Sequence, residues 1–133
     1  MKRKEILSVI RKHRDKEKAR LNKYTKYINE DSRALTIRTL RKNGFEPIKH
    51  FPRRYYNPTA GVVIKQWGTI CGPKPVLSCP TIKCGDWLIQ PLVDLKKSDE
   101  ACNILHKFND TSNADCHSGN CGYWKGVPIM FDW

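Results

Sequence analysis

Two phrases in the second half of the chain share one frame. CPTIKCGDW, Cys79 to Trp87, and CHSGNCGYW, Cys116 to Trp124, both read Cys-x4-Cys-Gly-x-Trp and lie 37 positions apart. Four of the six cysteines in this 133-residue chain fall in these frames. A chain of this length buries only a modest core, so cross-links through its thiols would weigh heavily in its stability. The N-terminal MKRKEILSVIRKHRDK lacks an apolar stretch of about 7 residues and does not read as a secretory signal. The expectation is therefore a reducing compartment, cytoplasmic or nuclear, where paired thiols hold metal more often than they form disulfides. A disulfide framework would require that a leader had been removed. No run of about 18 apolar residues occurs, and no membrane partner is expected.

Zinc takes thiolates and imidazoles in a tetrahedron, commonly as two close pairs from different parts of a fold. Each frame can be one such pair, and the glycine after its second cysteine allows a twist that turns amides toward the sulfurs. Cys102 and His106 form a third pair, at i and i+4 of an expected helix. With Cys71 and His117, the candidate ligands are Cys71, Cys79, Cys84, Cys102, His106, Cys116, His117 and Cys121. Eight ligands suffice for one or two zinc ions. Cys79, Cys84, Cys116 and Cys121 on one ion would resemble a zinc ribbon. Cys79, Cys84, Cys102 and His106 would resemble a treble clef, in which a helix supplies the second pair. The alternative to both is a set of ordinary buried cysteines, since cysteine is a common core residue.

Charge divides the chain into two materials. Residues 1–54 carry 18 of the 25 Lys and Arg against 6 of the 13 acids, a net of +12. Residues 55–133 carry 7 of each, and hold every cysteine and tryptophan. The expected organisation is a basic helical arm at 1–49, a Pro/Arg/Tyr hinge at 50–58 and a cysteine-rich zinc-binding body at 59–133. A basic segment of this kind suits a polyanionic partner.

In the first segment a helix is expected from about Lys4 to Ile28. Ile6 and Ile10 are apolar at one end, and Leu21, Tyr24 and Ile28 at the other. Between them Arg11, Lys12, Arg14, Lys16 and Lys18 must be solvated or laid on a partner. A second helix starts at a cap on Asp31 or Ser32 and leaves through Gly44, with Phe45 placed to fold back on Leu40. Leu35 and Leu40 are expected inward, with Ile37 nearer a flank. Arg38, Arg41 and Lys42 share another face, and the two helices are expected to pack as a hairpin. In HFPRRYYNP, two prolines argue against a regular element. Arg53 and Arg54 there can pair phosphates while Tyr55 and Tyr56 offer stacking faces to bases.

Short strands are expected within 61–67, 86–95 and 123–133, with Pro91 and Pro128 at edges or bulges. Between the last two lies an amphipathic helix, SDEACNILHKF, capped by Ser98 and buried along Ala101, Ile104, Leu105 and Phe108. The expected fold is thus α+β: a basic helical hairpin or arm, then a small zinc-stabilised β-rich domain with one amphipathic helix.

Thiol catalysis fits less well. SGNCGYW resembles the Gly-x-Cys-Gly of chymotrypsin-like cysteine proteases, but only 12 residues follow Cys121. Cys71 with His106 or His117 would follow the papain-like order, with Gln66 at an oxyanion and Asp110 or Asp115 behind the imidazole. That leaves five cysteines unexplained. The functional expectation is a non-enzymatic, zinc-binding nucleic-acid binder, for RNA rather than DNA, serving as an accessory or regulatory factor. Viral accessory proteins and ribonucleoprotein components share this plan. The competing class is a protein adaptor that grips its partner through the zinc body.

Overall fold

A computed structural model describes residues 1–51, 53–66, 76–108 and 118–131. It is a mixed α+β fold with antiparallel sheets and an N-terminal helix, α1, at Arg3–Asn22. Two compact units form, each with its own apolar cluster. One holds Lys16–Thr69 and Thr81–Leu92; the other holds Met1–Asp15, Ile70–Pro80 and Val93–Trp133, as far as these are described.

The first of these, the sheet unit, is organised by a helix exit. Helix α2, Arg33–Lys42, begins where the Ser32 hydroxyl accepts the Leu35 N–H at 3.2 Å. It ends at Gly44, with φ +86°, and the Phe45 N–H returns to the Leu40 carbonyl at 3.0 Å. That bond satisfies a carbonyl the helix leaves open and carries Phe45 inward. Phe45 then meets Tyr24 and Tyr27 edge to face, with centroids 5.9 and 6.2 Å away. Leu21, Leu40, Tyr55, Val62, Ile64, Trp87 and Ile89 complete the cluster.

Five strands follow: β1 Glu46–Pro47, β2 Arg54–Asn57, β3 Val62–Gln66, β4 Ile82–Cys84 and β5 Trp87–Pro91. They lie in the order β1-β2-β3-β5-β4, all antiparallel. Tyr55 pairs with Ile64 and Ile64 with Ile89, so alternate side chains of three strands enter one core face. Arg20 braces the β2–β3 turn, donating to the Ala60 and Gly61 carbonyls at 2.6 and 3.2 Å while held by buried Glu17.

In the second, thiol-bearing unit, helix α3 spans Ser98–His106, and β6 Cys121–Trp124 pairs with β7 Val127–Met130. Lys125 and Gly126, at φ 53° and 79°, make the left-handed two-residue turn that suits the twist of a hairpin. Ser78 adds a parallel bridge to Met130, and Asp94 exchanges two backbone bonds with Tyr123, both 2.9 Å. Ile6, Leu7 and Ile10 of α1 join Leu77, Leu105, Ile129 and Met130 in this core.

Several expectations change. The first helix ends sooner than expected, at Asn22, and α2 packs on the 3-10 turn Lys23–Tyr27 that follows it. Leu35 is 44% exposed, and Thr36 is buried in its stead. The Thr36 hydroxyl accepts the Asn29 N–H at 2.8 Å, so a polar residue ties down the helix start from inside. HFPRRYYNP is not wholly irregular, because Arg54–Asn57 is strand β2 and Pro58 follows it. Pro91 ends β5 between two neighbours, but β4 pairs only as far as Ile89 and leaves the proline side open. Helix α3 starts after Lys97, and its stripe includes Cys102 beside Ala101 and Leu105. Among the described residues, no helix is long and apolar enough to cross a membrane.

Burial distinguishes the two leucines of α2. Leu40→Ala should destabilise the protein by about 2–5 kcal/mol, while Leu35→Ala should stay within about 0.5 kcal/mol. Urea unfolding monitored by tryptophan fluorescence reads both; equal losses would place Leu35 inside.

Candidate nucleic-acid interface and cysteine sites

The sheet unit carries most of the charge. Its segments contain 14 Lys and Arg against 5 acids, a net of +9, whereas the other unit has 11 against 8, a net of +3. From Pro47 to Gly85 the sequence has no Asp or Glu.

Helix α2 turns Thr36 and Leu40 inward, so Arg38, Arg41 and Lys42 stand exposed on its outer side. Among the described residues no ion pair ties these three. Arg41 and Lys42 occupy the last turn, where cations complement the helix dipole. On α1, Arg11, Lys12 and Arg14 are exposed within the thiol-bearing unit, and Lys18 is half-buried within the sheet unit. Arg14 lies 3.6 Å from the exposed Asp15, a surface pair of small energetic weight.

The loop joining β1 to β2 closes through the Ile48 N–H on the Arg54 carbonyl, 2.9 Å, and the Phe51 N–H on the Ile48 carbonyl, 3.2 Å. Arg53 is exposed where the loop enters β2, and the Arg54 guanidinium lies over the Phe51 ring, 5.0 Å from its centroid. Tyr55, expected to stack on a base, is 7% exposed and packs in the sheet core. Strand alternation is the reason: Tyr55 points inward, and Tyr56, half-buried, takes the opposite face. Sequence reasoning passed over Phe51 in favour of the tyrosines. The acid-free run and the adjacent arginines were the available signal.

The twin frames fold differently. In the first, Cys84 ends β4, Gly85 and Asp86 make the turn, and Trp87 opens β5 opposite Cys84. Gly85 sits at φ +57°, a left-handed position suited to glycine. In the second, Cys121, Gly122 and Trp124 all lie within β6. A Cβ on Gly122 would come within 2.4 Å of Val93 Cγ1 and 2.7 Å of the Asp94 carbonyl oxygen. Glycine there admits the chain at Val93 and Asp94, and at this position it lies in regular strand with no left-handed twist.

Cys79, Cys102 and Cys121 are buried in the apolar cluster of the thiol-bearing unit. The Cys79 N–H donates to the Met130 carbonyl at 2.9 Å, and Met130 pairs across β6–β7 with Cys121. His106, at the end of α3, is exposed while Cys102 on the same helix is buried. Cys84 belongs to the sheet unit, where its Sγ donates to Glu30 Oε1 at 3.6 Å. Cys71, Cys116 and His117 lie outside the described residues. Among the described residues, no three His, Cys, Asp or Glu side chains are grouped so as to hold a metal ion.

Comparison with known protein families, with characterised proteins and with solved structures finds no match.

The Cys84 thiol is pushed above its ordinary range by burial first, then by its hydrogen bond to Glu30 and the negative charge there. Less thiolate is therefore present at any given pH below that range. Glu30→Gln removes the charge, lowers the thiol's pKa and should speed alkylation of Cys84 by iodoacetamide at pH 8. Peptide mapping reads the site-specific rate, and an unchanged rate would mean that Glu30 does not govern the thiol.

Proposed function

We propose that this protein binds nucleic acid, RNA in preference to DNA, through the cationic surface of its sheet unit, as an accessory or regulatory factor. The observation that carries this reading is the exposed Arg38, Arg41 and Lys42 on a unit of net charge +9. These cations are presented by a core that does not use them, so phosphate can engage them without breaking internal pairs. Their place favours backbone contact over base reading. A helix that reads the major groove presents its N-terminal residues to the bases, whereas Arg41 and Lys42 stand in the last turn of α2.

Zinc belongs to the proposal as a staple of the thiol-bearing unit, one or two ions held by cysteine and histidine. Support comes from the six cysteines, the burial of Cys79, Cys102 and Cys121 in the core of one unit, and the proximity in sequence of Cys116 and His117 to Cys121. The ligand set would draw on Cys71, Cys116 and His117 to complete the coordination that the described residues lack.

Replacing Arg38, Arg41 and Lys42 together by Gln should weaken RNA binding. It should flatten log affinity against log salt by about 2 on single strands if all three touch phosphate. Fluorescence anisotropy over a salt series measures this. A wild-type chain whose RNA binding ignores salt, or a triple variant with unchanged affinity and slope, would move the protein-adaptor reading ahead.

Metal content is a separate expectation. The purified chain should carry one or two zinc equivalents by elemental analysis, and a chelator should remove them with loss of near-UV circular dichroism. Metal-free protein with an unchanged spectrum would remove zinc from the proposal and leave the RNA surface intact.

A further inference from the structure

The β1–β2 hairpin exposes an aromatic ring beside several cations. Phe51 is 44% exposed and is the one aromatic ring among the exposed large apolar residues described. The Arg54 guanidinium lies over it at 5.0 Å. Lys49, His50 and Arg53 are exposed around the pair. No carboxylate occurs in the sequence from Pro47 to Gly85.

Backbone conformation adds an independent point. His50 and Arg53 adopt φ 68° and 65°, left-handed values that cost a residue bearing a Cβ on the order of 1–2 kcal/mol. Glycine would relieve that cost at either position. Both side chains are exposed, so neither offsets it by burial. The loop keeps a ring and a set of cations in a strained frame where the fold alone would accept glycine.

We infer that this hairpin tip is a stacking platform for an unpaired base, made by the Phe51 ring and the Arg54 guanidinium, with Lys49 and Arg53 beside it for the flanking phosphates. The inference rests on the nucleic-acid reading above and assigns it a residue, Phe51, and a substrate class, single strands. An aromatic face beside a planar guanidinium matches a nucleobase, which stacks on either surface while its phosphates meet the cations. An acidic peptide would engage the cations and leave the ring unused. A membrane surface would need a wider apolar face than one ring. Bases in a duplex are already stacked, so the platform discriminates against paired strands.

The test uses the full chain with two probes, a uridine homopolymer oligonucleotide and an RNA duplex of equal length. Phe51→Ala should weaken binding to the single strand by roughly 5- to 150-fold, the range for losing one stacked base, and leave duplex binding unchanged. Phe51→Leu keeps an apolar side chain without a flat face and should fall with Ala. Phe51→Trp should retain affinity and show fluorescence quenching beyond that of the wild type when the single strand is added. Equal losses on both probes, or a Leu variant as good as wild type, would overturn the platform. If Phe51→Ala binds normally while the Arg38, Arg41 and Lys42 variant is weakened, the platform alone fails. If the wild-type chain binds neither probe, this inference and the function beneath it fall together.

Discussion

When the Phe45 N–H reaches back to the Leu40 carbonyl, it settles more than the end of a helix. The bond requires Gly44 in a left-handed conformation, and it brings Phe45 into the aromatic group with Tyr24 and Tyr27. Leu40 is then committed to the core, which rotates Arg38, Arg41 and Lys42 outward. The chain leaving Phe45 enters β1 at once, and β1 pairs with β2 to form the hairpin that carries Phe51 and Arg54. A local apolar closure thus governs where the charges of this unit are displayed.

Much of the architecture was legible because it is written in short-range signals. The Ser32 cap, the Gly44 exit, the Phe45 return and the apolar runs at 62–66 and 87–91 depend on neighbours a few residues away. What escaped depends on distant partners. Strand β2 sits close to two prolines that suggest a break, yet its existence follows from pairing with Val62–Lys65. Thr36 displaces Leu35 from the interior because its hydroxyl bonds both to Asn29 and within the helix start. Helix periodicity has no access to that contact.

The twin cysteine frames make the same point more sharply. Identical letters place Cys84 at a strand end facing Glu30, and Cys121 at a strand start inside an apolar core. Each glycine answers a different constraint, a left-handed turn at Gly85 and the approach of Val93 and Asp94 at Gly122. Trp87 and Trp124 enter different cores. Spacing in a sequence limits how far apart two sulfurs can be. Their direction is set by the strand each one joins, and here the strands belong to different units.

Burial also changes what cysteine content means for stability. Inside an apolar cluster a thiol acts as a small hydrophobe and contributes through packing, with no metal required. A thiolate in the same place needs a cation to offset its desolvation, since an unpaired buried charge costs several kcal/mol. Cys79, Cys102 and Cys121 therefore admit two kinds of core: one held by packing alone, and one held by an ion whose binding free energy is also folding free energy. Replacement by Ala or Ser separates them by magnitude. In the first kind each loss is that of a small side chain from a core. In the second, losing any one ligand releases the ion and removes the contribution of all.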